Sequence, residues 1–188
     1  MKKVILFLML FLGFVSVSSY AQQDKIILLI AEQNIEGPQR AWWASEIDLS
    51  TTEATIAQAL ISRDYKVIEP QDLNKIIQKE RAFRVVAISE GESIKLGSLS
   101  RADYVILGKA IASAGGNVPQ SQMRSCFANI SAKLIRVKDG KVIAYLDSSG
   151  NSAHTDLVTG GREALARAAN SLAEKMIVEL AKVKEGGK

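Results

Sequence analysis

The only histidine of the 188-residue chain, His154, stands close to Ser148, Ser149 and Ser152. Serine beside histidine raises the question of a hydrolytic triad, in which an imidazole takes the proton from a nucleophilic hydroxyl. The spacing argues against it. Neighbours along one strand do not converge on a substrate, and the Gly-x-Ser-x-Gly elbow that exposes a nucleophile is missing. His154 then reads as a polar residue at a strand end. The lone cysteine, Cys126, has no nearby histidine or acid to lower its pKa, and it shares an alternating face with Ala128 and Ile130. It reads as a small buried apolar residue.

Other chemistry is as thin. "LGKAIASAGG" contains glycines but lacks the spacing of a phosphate-binding loop. Glu90 and Glu92 flank Gly91 and read as a loop or a helix start rather than a catalytic acid pair. One histidine and one cysteine cannot supply the three or four ligands of a His/Cys metal site. No catalytic set, metal or other cofactor is therefore expected, and the chain is not expected to be an enzyme. The residues with binding potential lie in "IEGPQRAWWASEIDL", which holds the only two tryptophans, Trp42 and Trp43, close to Arg40. Tryptophan and arginine are enriched at binding hot spots, which makes these three the candidate partner-binding residues. Neighbouring side chains diverge on a helix or a strand, so one ring is expected inward (Trp43) and the other outward (Trp42). The competing reading has both rings covering the open end of the core.

The elements that would position these residues follow from the hydrophobic pattern. "MKKVILFLMLFLGFVSVSSYAQQ" has a basic start, an apolar run from Val4 to Val17 and small residues before Gln22. That is the pattern of a secretory signal peptide cleaved after Ala21, which directs the chain to the periplasm. The alternative is an uncleaved anchor, for which the run is short. No cysteine follows it, so a lipoprotein anchor is not expected. Removal of residues 1–21 lowers the formal charge from +4 to +2. Nothing in that balance calls for nucleic acid.

"KIILLIA" is a continuous apolar run and reads as a strand buried on both faces. Ser50 and Glu53 form a capping box that starts a helix burying Ile56, Ala57 and Leu60. Tyr65–Ile68 is the next strand. Pro70 opens a helix with Leu73, Ile76 and Ile77 on one side. "ESIKLGSLS" reads as a short helix broken near Gly97, and "ADYVILGKAIAS" as a strong strand ended by a loop at Gly115, Gly116 and Pro119. In "SCFANISAKLIRV" the residues Cys126, Ala128, Ile130, Ala132 and Leu134 alternate with Asn129, Ser131 and Lys133. "KDGK" reads as a two-residue hairpin turn into "VIAYLDSSGNSAH". The final helix buries Leu165, Ala169, Leu172, Met176 and Leu180, and its alanines imply close packing on the sheet. The order β-α-β-α-(α)-β-β-β-α gives an α/β (α+β) fold of two or three layers, with a mixed sheet and parallel first strands. Residues 22–185 are expected to form one domain and 186–188 a polar tail.

"ADYVILGKA", the two strands around "VKDGKVI" and the "REALARAANSLAEKM" helix resemble a group of bacterial envelope domains. The group comprises the TolB amino-terminal domain, CsgG, LpoB and the middle domain of flagellar assembly protein T. "IILLIAEQN" and "TTEATIAQALISRDYKVIEPQDL" resemble their opening strand, helix and second strand. "AEQN" and the tryptophan segment are most similar to the flagellar protein T type. The resemblance implies a periplasmic, non-enzymatic assembly or interaction protein with an envelope protein as partner, in flagellar or secretion-apparatus assembly. Regulation of a peptidoglycan synthase, as by LpoB-like domains, is the alternative, and binding of a small ligand a third. Homo-oligomers and strand addition at a sheet edge stay open.

Overall fold

A computed structural model describes residues 23–38, 49–79 and 88–186. The expected cleavage site and the segment holding Arg40, Trp42 and Trp43 lie outside the described residues. Six strands form one mixed sheet: β1 (Lys25–Asn34), β2 (Gly37–Pro38), β3 (Lys66–Val67), β4 (Tyr104–Asn117), β5 (Arg124–Arg136) and β6 (Lys141–His154). Their order is β2-β1-β4-β5-β6, with β3 also paired to β1. β1 runs parallel to β3 and β4, as two crossover connections require, and β4, β5 and β6 form an antiparallel meander. The helices among the described residues are α1 (Thr51–Ile61), α2 (Pro70–Lys79), α3 (Glu90–Ser100) and α4 (Leu157–Gly186).

Ile26 to Ile30 of β1 are all but inaccessible, which is why a run with no polar alternation forms a strand here. Even residues face a core built with α1 and α4: Ile26, Leu28 and Ile30 meet Ile56, Leu60, Leu165, Leu172 and Met176. Odd residues face a second core under α2 and α3, where Ile27, Leu29 and Val105 meet Leu73, Ile77 and Leu96. Each fully buried Leu or Ile contributes about 1.5–3 kcal/mol of apolar transfer.

α1 starts where the capping box places it: Glu53 N–H donates to Ser50 Oγ at 3.2 Å, and Ser50 N–H donates to Glu53 Oε2 at 3.3 Å. Glu53 does more than cap. Ile30 N–H donates to its Oε1 at 2.8 Å, and the side chain is 1% exposed. β3 is only two residues long, shorter than the expected Tyr65–Ile68, and it pairs with Lys25 and Ile26 alone. Higher on that flank, a carboxylate takes a backbone donor that a longer strand would have taken.

α3 runs unbroken through Gly97, against the expected break. A Cβ there would stand 2.7 Å from Val137 and 2.9 Å from Val105, so the glycine lets the helix close onto the sheet. β4 likewise continues to Asn117, and Gly115–Gly116 fall at a register shift rather than in a loop. The β5–β6 hairpin has four connecting residues, because strand pairing stops at Arg136 and Lys141. Gly140 alone in this turn has positive φ, +66°, whereas a two-residue type I′ turn needs two such residues.

α4 carries the expected buried stripe, with Leu165, Ala169, Leu172, Met176 and Leu180 at zero exposure. Its alanines pack as expected. A Cβ on Gly150 of β6 would collide with Ala164 O and reach within 2.6 Å of Ala168 N, so helix backbone lies directly on strand backbone.

Candidate functional site

The residues singled out for chemistry are placed apart or committed to structure. Ser148 Oγ donates to Ala168 O at 2.8 Å and Ser152 Oγ to Gly160 O at 2.6 Å, so both hydroxyls dock α4 onto β6. His154 ends β6, where Asp156 N–H donates to its Nδ1 at 2.9 Å. Serine and imidazole are thus turned to separate backbone partners, and no triad forms from them. Cys126 is fully buried beside Gly160. Glu92 closes the α3 capping box on Ser89, whose hydroxyl and N–H hold its carboxyl below the usual range. Glu90 pairs with Lys133 Nζ at 2.7 Å, and that carboxylate raises the Lys133 ammonium above its ordinary value. No group of three or more His, Cys, Asp or Glu suited to a metal occurs among the described residues.

What the fold leaves open is a surface. α2 and α3 cover the second sheet face only at its lower end. Further along, the odd-numbered side chains of β4 and β5, with their partners on β6, face solvent. Strand register sets them in rows. Leu107, Lys133 and Tyr145 form the first, Lys109, Ser131 and Asp147 the second, Ile111, Asn129 and Ser149 the third, and Ser113, Phe127 and Asn151 the fourth. Ile111 is 47% exposed, Phe127 45% and Tyr145 70%. A Cβ on Gly115 would stand 2.5 Å from the Phe127 ring, so the ring packs against that glycine. Two aromatic rings and an isoleucine thus stand among serines, asparagines and lysines. Rigid aromatic anchors among adaptable polar groups suit contact with a partner.

At the lower end of the same face a cavity of about 370 Å³ opens beside α3. Leu29, Ala31, Ile88 and Leu107 line it, and Lys109, Lys133, Tyr145 and Asp147 surround its mouth. Its volume lies within the range of small-molecule sites.

Asn129, Ser131 and Lys133, expected on the face of β5 opposite Cys126, Ala128 and Ile130, do alternate with them and lie on its less buried side. Sequence reasoning did not single out Phe127 or Tyr145. The signal was present, since an aromatic residue at the parity of Asn129, Ser131 and Lys133 must leave the core face. That none of the described helices covers it depends on where α2 and α3 lie, which local pattern does not show.

The fold is a mixed α/β scaffold with one half-sheet exposed among the described residues. Residues 42–182 match the family model described as curli production assembly/transport component CsgG, and the chain belongs to that family. No curated protein matches significantly. Among solved structures, the LpoB C-terminal domain from Salmonella enterica is 18% identical, covering 71% of this chain and 83% of its own, with a TM-score of 0.40. A lipoprotein from Neisseria meningitidis is 13% identical over 85% and 99%, with a TM-score of 0.45. The PelC dodecamer from Paraburkholderia phytofirmans is 15% identical over 84% and 88%, with a TM-score of 0.41. The family assignment rests on the sequence match. It supports the CsgG side of the group named above and does not extend to flagellar protein T.

Proposed function

We propose that this chain is an exported, non-enzymatic assembly or interaction protein of the bacterial cell envelope. The observation that carries the reading is the bare half-sheet with Ile111 and Phe127 in solvent, on a scaffold of the CsgG family. The hydroxyls and carboxylates nearest to a catalytic arrangement are engaged in docking and capping, which supports a binding role. The amino-terminal sequence pattern supports export to the periplasm, with cleavage after Ala21. No described helix is long and apolar enough to cross a membrane.

The family name favours secretion-apparatus assembly as the context. Flagellar assembly rests on the likeness of "AEQN" and the tryptophan segment alone. Arg40, Trp42 and Trp43 are proposed, on sequence grounds, as a further partner contact. The test is affinity capture from envelope extracts with the purified chain and with an Ile111→Ser/Phe127→Ser double variant. Capture of a discrete envelope protein by the wild type and its loss in the variant are expected. Equal capture by both would remove the bare face from the reading, and capture of nothing by either would sink the assembly role.

A further inference from the structure

β6 is the end strand of the sheet among the described residues, and at 14 residues it offers a long edge. An unpaired edge is a template on which another chain can add a strand. α4 runs along this strand. Ser152 donates to Gly160 O, Gly150 lies against Ala164 and Ala168, and Ser148 donates to Ala168 O, so helix and strand run in opposite directions. Two cations reach from α4 round to the edge. Arg167 Nη1 donates to Asn151 O at 2.7 Å, and Lys175 Nζ donates to Asp147 O at 2.5 Å. The spacing fits, because eight helix residues rise about 12 Å and four strand residues about 13 Å.

In an antiparallel ladder alternate residues turn both N–H and C=O to the same neighbour. The two bonds to α4 therefore place Asp147 and Asn151 in the outer row of β6, with Ser149 between them. A charged donor makes each bond stronger than one between neutral groups. The opposite flank carries the complementary device, where Glu53 Oε1 accepts from Ile30 N–H of β1 at 2.8 Å.

We propose that Arg167 and Lys175 close the β6 edge to strand addition by a second copy of this chain. An added strand needs the carbonyls of Asp147 and Asn151, so both cations must first let go. A second copy meets a further obstacle. Two β6 strands paired about Ser149 set Asn151 of one copy beside Asp147 of the other. Arg167 of the first then comes against Lys175 of the second, and like charges repel. Without these two side chains the outer row of Asp147, Ser149 and Asn151 is open to pairing. This closure concerns the edge rather than the bare face of the sheet, and it holds whether or not that face binds a partner.

The test compares the wild type with an Arg167→Ala/Lys175→Ala variant over a dilution series up to millimolar protein. Both positions are exposed, and Ser148, Gly150 and Ser152 still dock α4, so the variant keeps the fold. Mass is read by sedimentation, and the edge by NMR exchange of the Asp147, Ser149 and Asn151 amides. In the wild type these amides are expected to exchange at one rate at every concentration. In the double variant their exchange is expected to slow at least about tenfold at the highest concentration, with a mass twice that of the wild type. Adding Ser149→Pro removes the central outward N–H, a change that an edge strand tolerates. It is expected to restore fast exchange at Asp147 and Asn151 and the wild-type mass. Equal exchange in the wild type and the double variant, concentration-dependent slowing in the wild type, or a doubled mass that Ser149→Pro leaves in place would overturn the proposal.

Discussion

On one side of the sheet α4 lies so close to β6 that only glycine fits at position 150. On the other, β4, β5 and β6 run past their helices and leave Ile111 and Phe127 in solvent. Where α4 meets β5 and β6 the contact is made of small residues: Gly150 lies against the backbone of Ala164 and Ala168, and Gly160 against Cys126. It has no room for a ligand and little tolerance of change. The bare side has large exposed side chains that contribute nothing to either core. Stability is concentrated on the first face, and the second is free to act.

Substitutions can break or sharpen that contrast. The largest effect is expected at Gly150→Ala. The added methyl meets helix backbone, which cannot rotate away, so α4 must lift from the sheet. A loss of about 2–3 kcal/mol is expected in urea unfolding. Next comes Glu53→Ala, which leaves Ile30 N–H without its acceptor and opens the α1 capping box. About 2 kcal/mol should be lost, and clearly less in Glu53→Gln, which keeps an acceptor oxygen. If glutamine cost as much as alanine, the carboxylate's charge and not its hydrogen bonds would matter.

A smaller effect is expected where the sheet is held by exposed groups alone. Arg136 Nη2 donates to Asp139 Oδ2 at 2.7 Å across the β5–β6 turn, and this guanidinium lowers the Asp139 carboxyl from 3.8 to about 2. A depressed carboxyl stabilises the fold above its unfolded pKa, and the contribution is lost as pH falls through its folded value. Wild type should therefore exceed Asp139→Asn in stability at about pH 6, with the difference gone by about pH 2. Urea midpoints at the two pH values read this directly. The smallest effect belongs to the bare face: Ile111→Ser and Phe127→Ser should each change stability by no more than about 0.5 kcal/mol. A loss near 2 kcal/mol from either would make that face part of the core.

The close side was the more legible in the sequence. The α1 capping box, the alternation of β5 and the α4 stripe are local patterns, and each formed where its residues placed it. Gly97 misled because a glycine in a helix looks like a break, whereas its reason lies forty residues away at Val137. Asp139–Gly140 suggested a two-residue turn, but pairing ended earlier at Arg136 and Lys141. The bare face and its cavity arise from where α2 and α3 lie relative to β4, β5 and β6, so no single stretch of sequence announces them. Trp42 and Trp43 drew the eye by type alone.

The most direct test of the division between the faces is in-cell photo-crosslinking from positions 111 and 127, with Val178 as control. Val178 is 51% exposed on α4, so it matches them in exposure but belongs to the helix that builds the close side. A discrete adduct from 111 and 127, absent from 178, is the expected result. An adduct from 178 with none from 111 or 127 would place the partner on α4 and contradict the assignment of the bare sheet as the working surface.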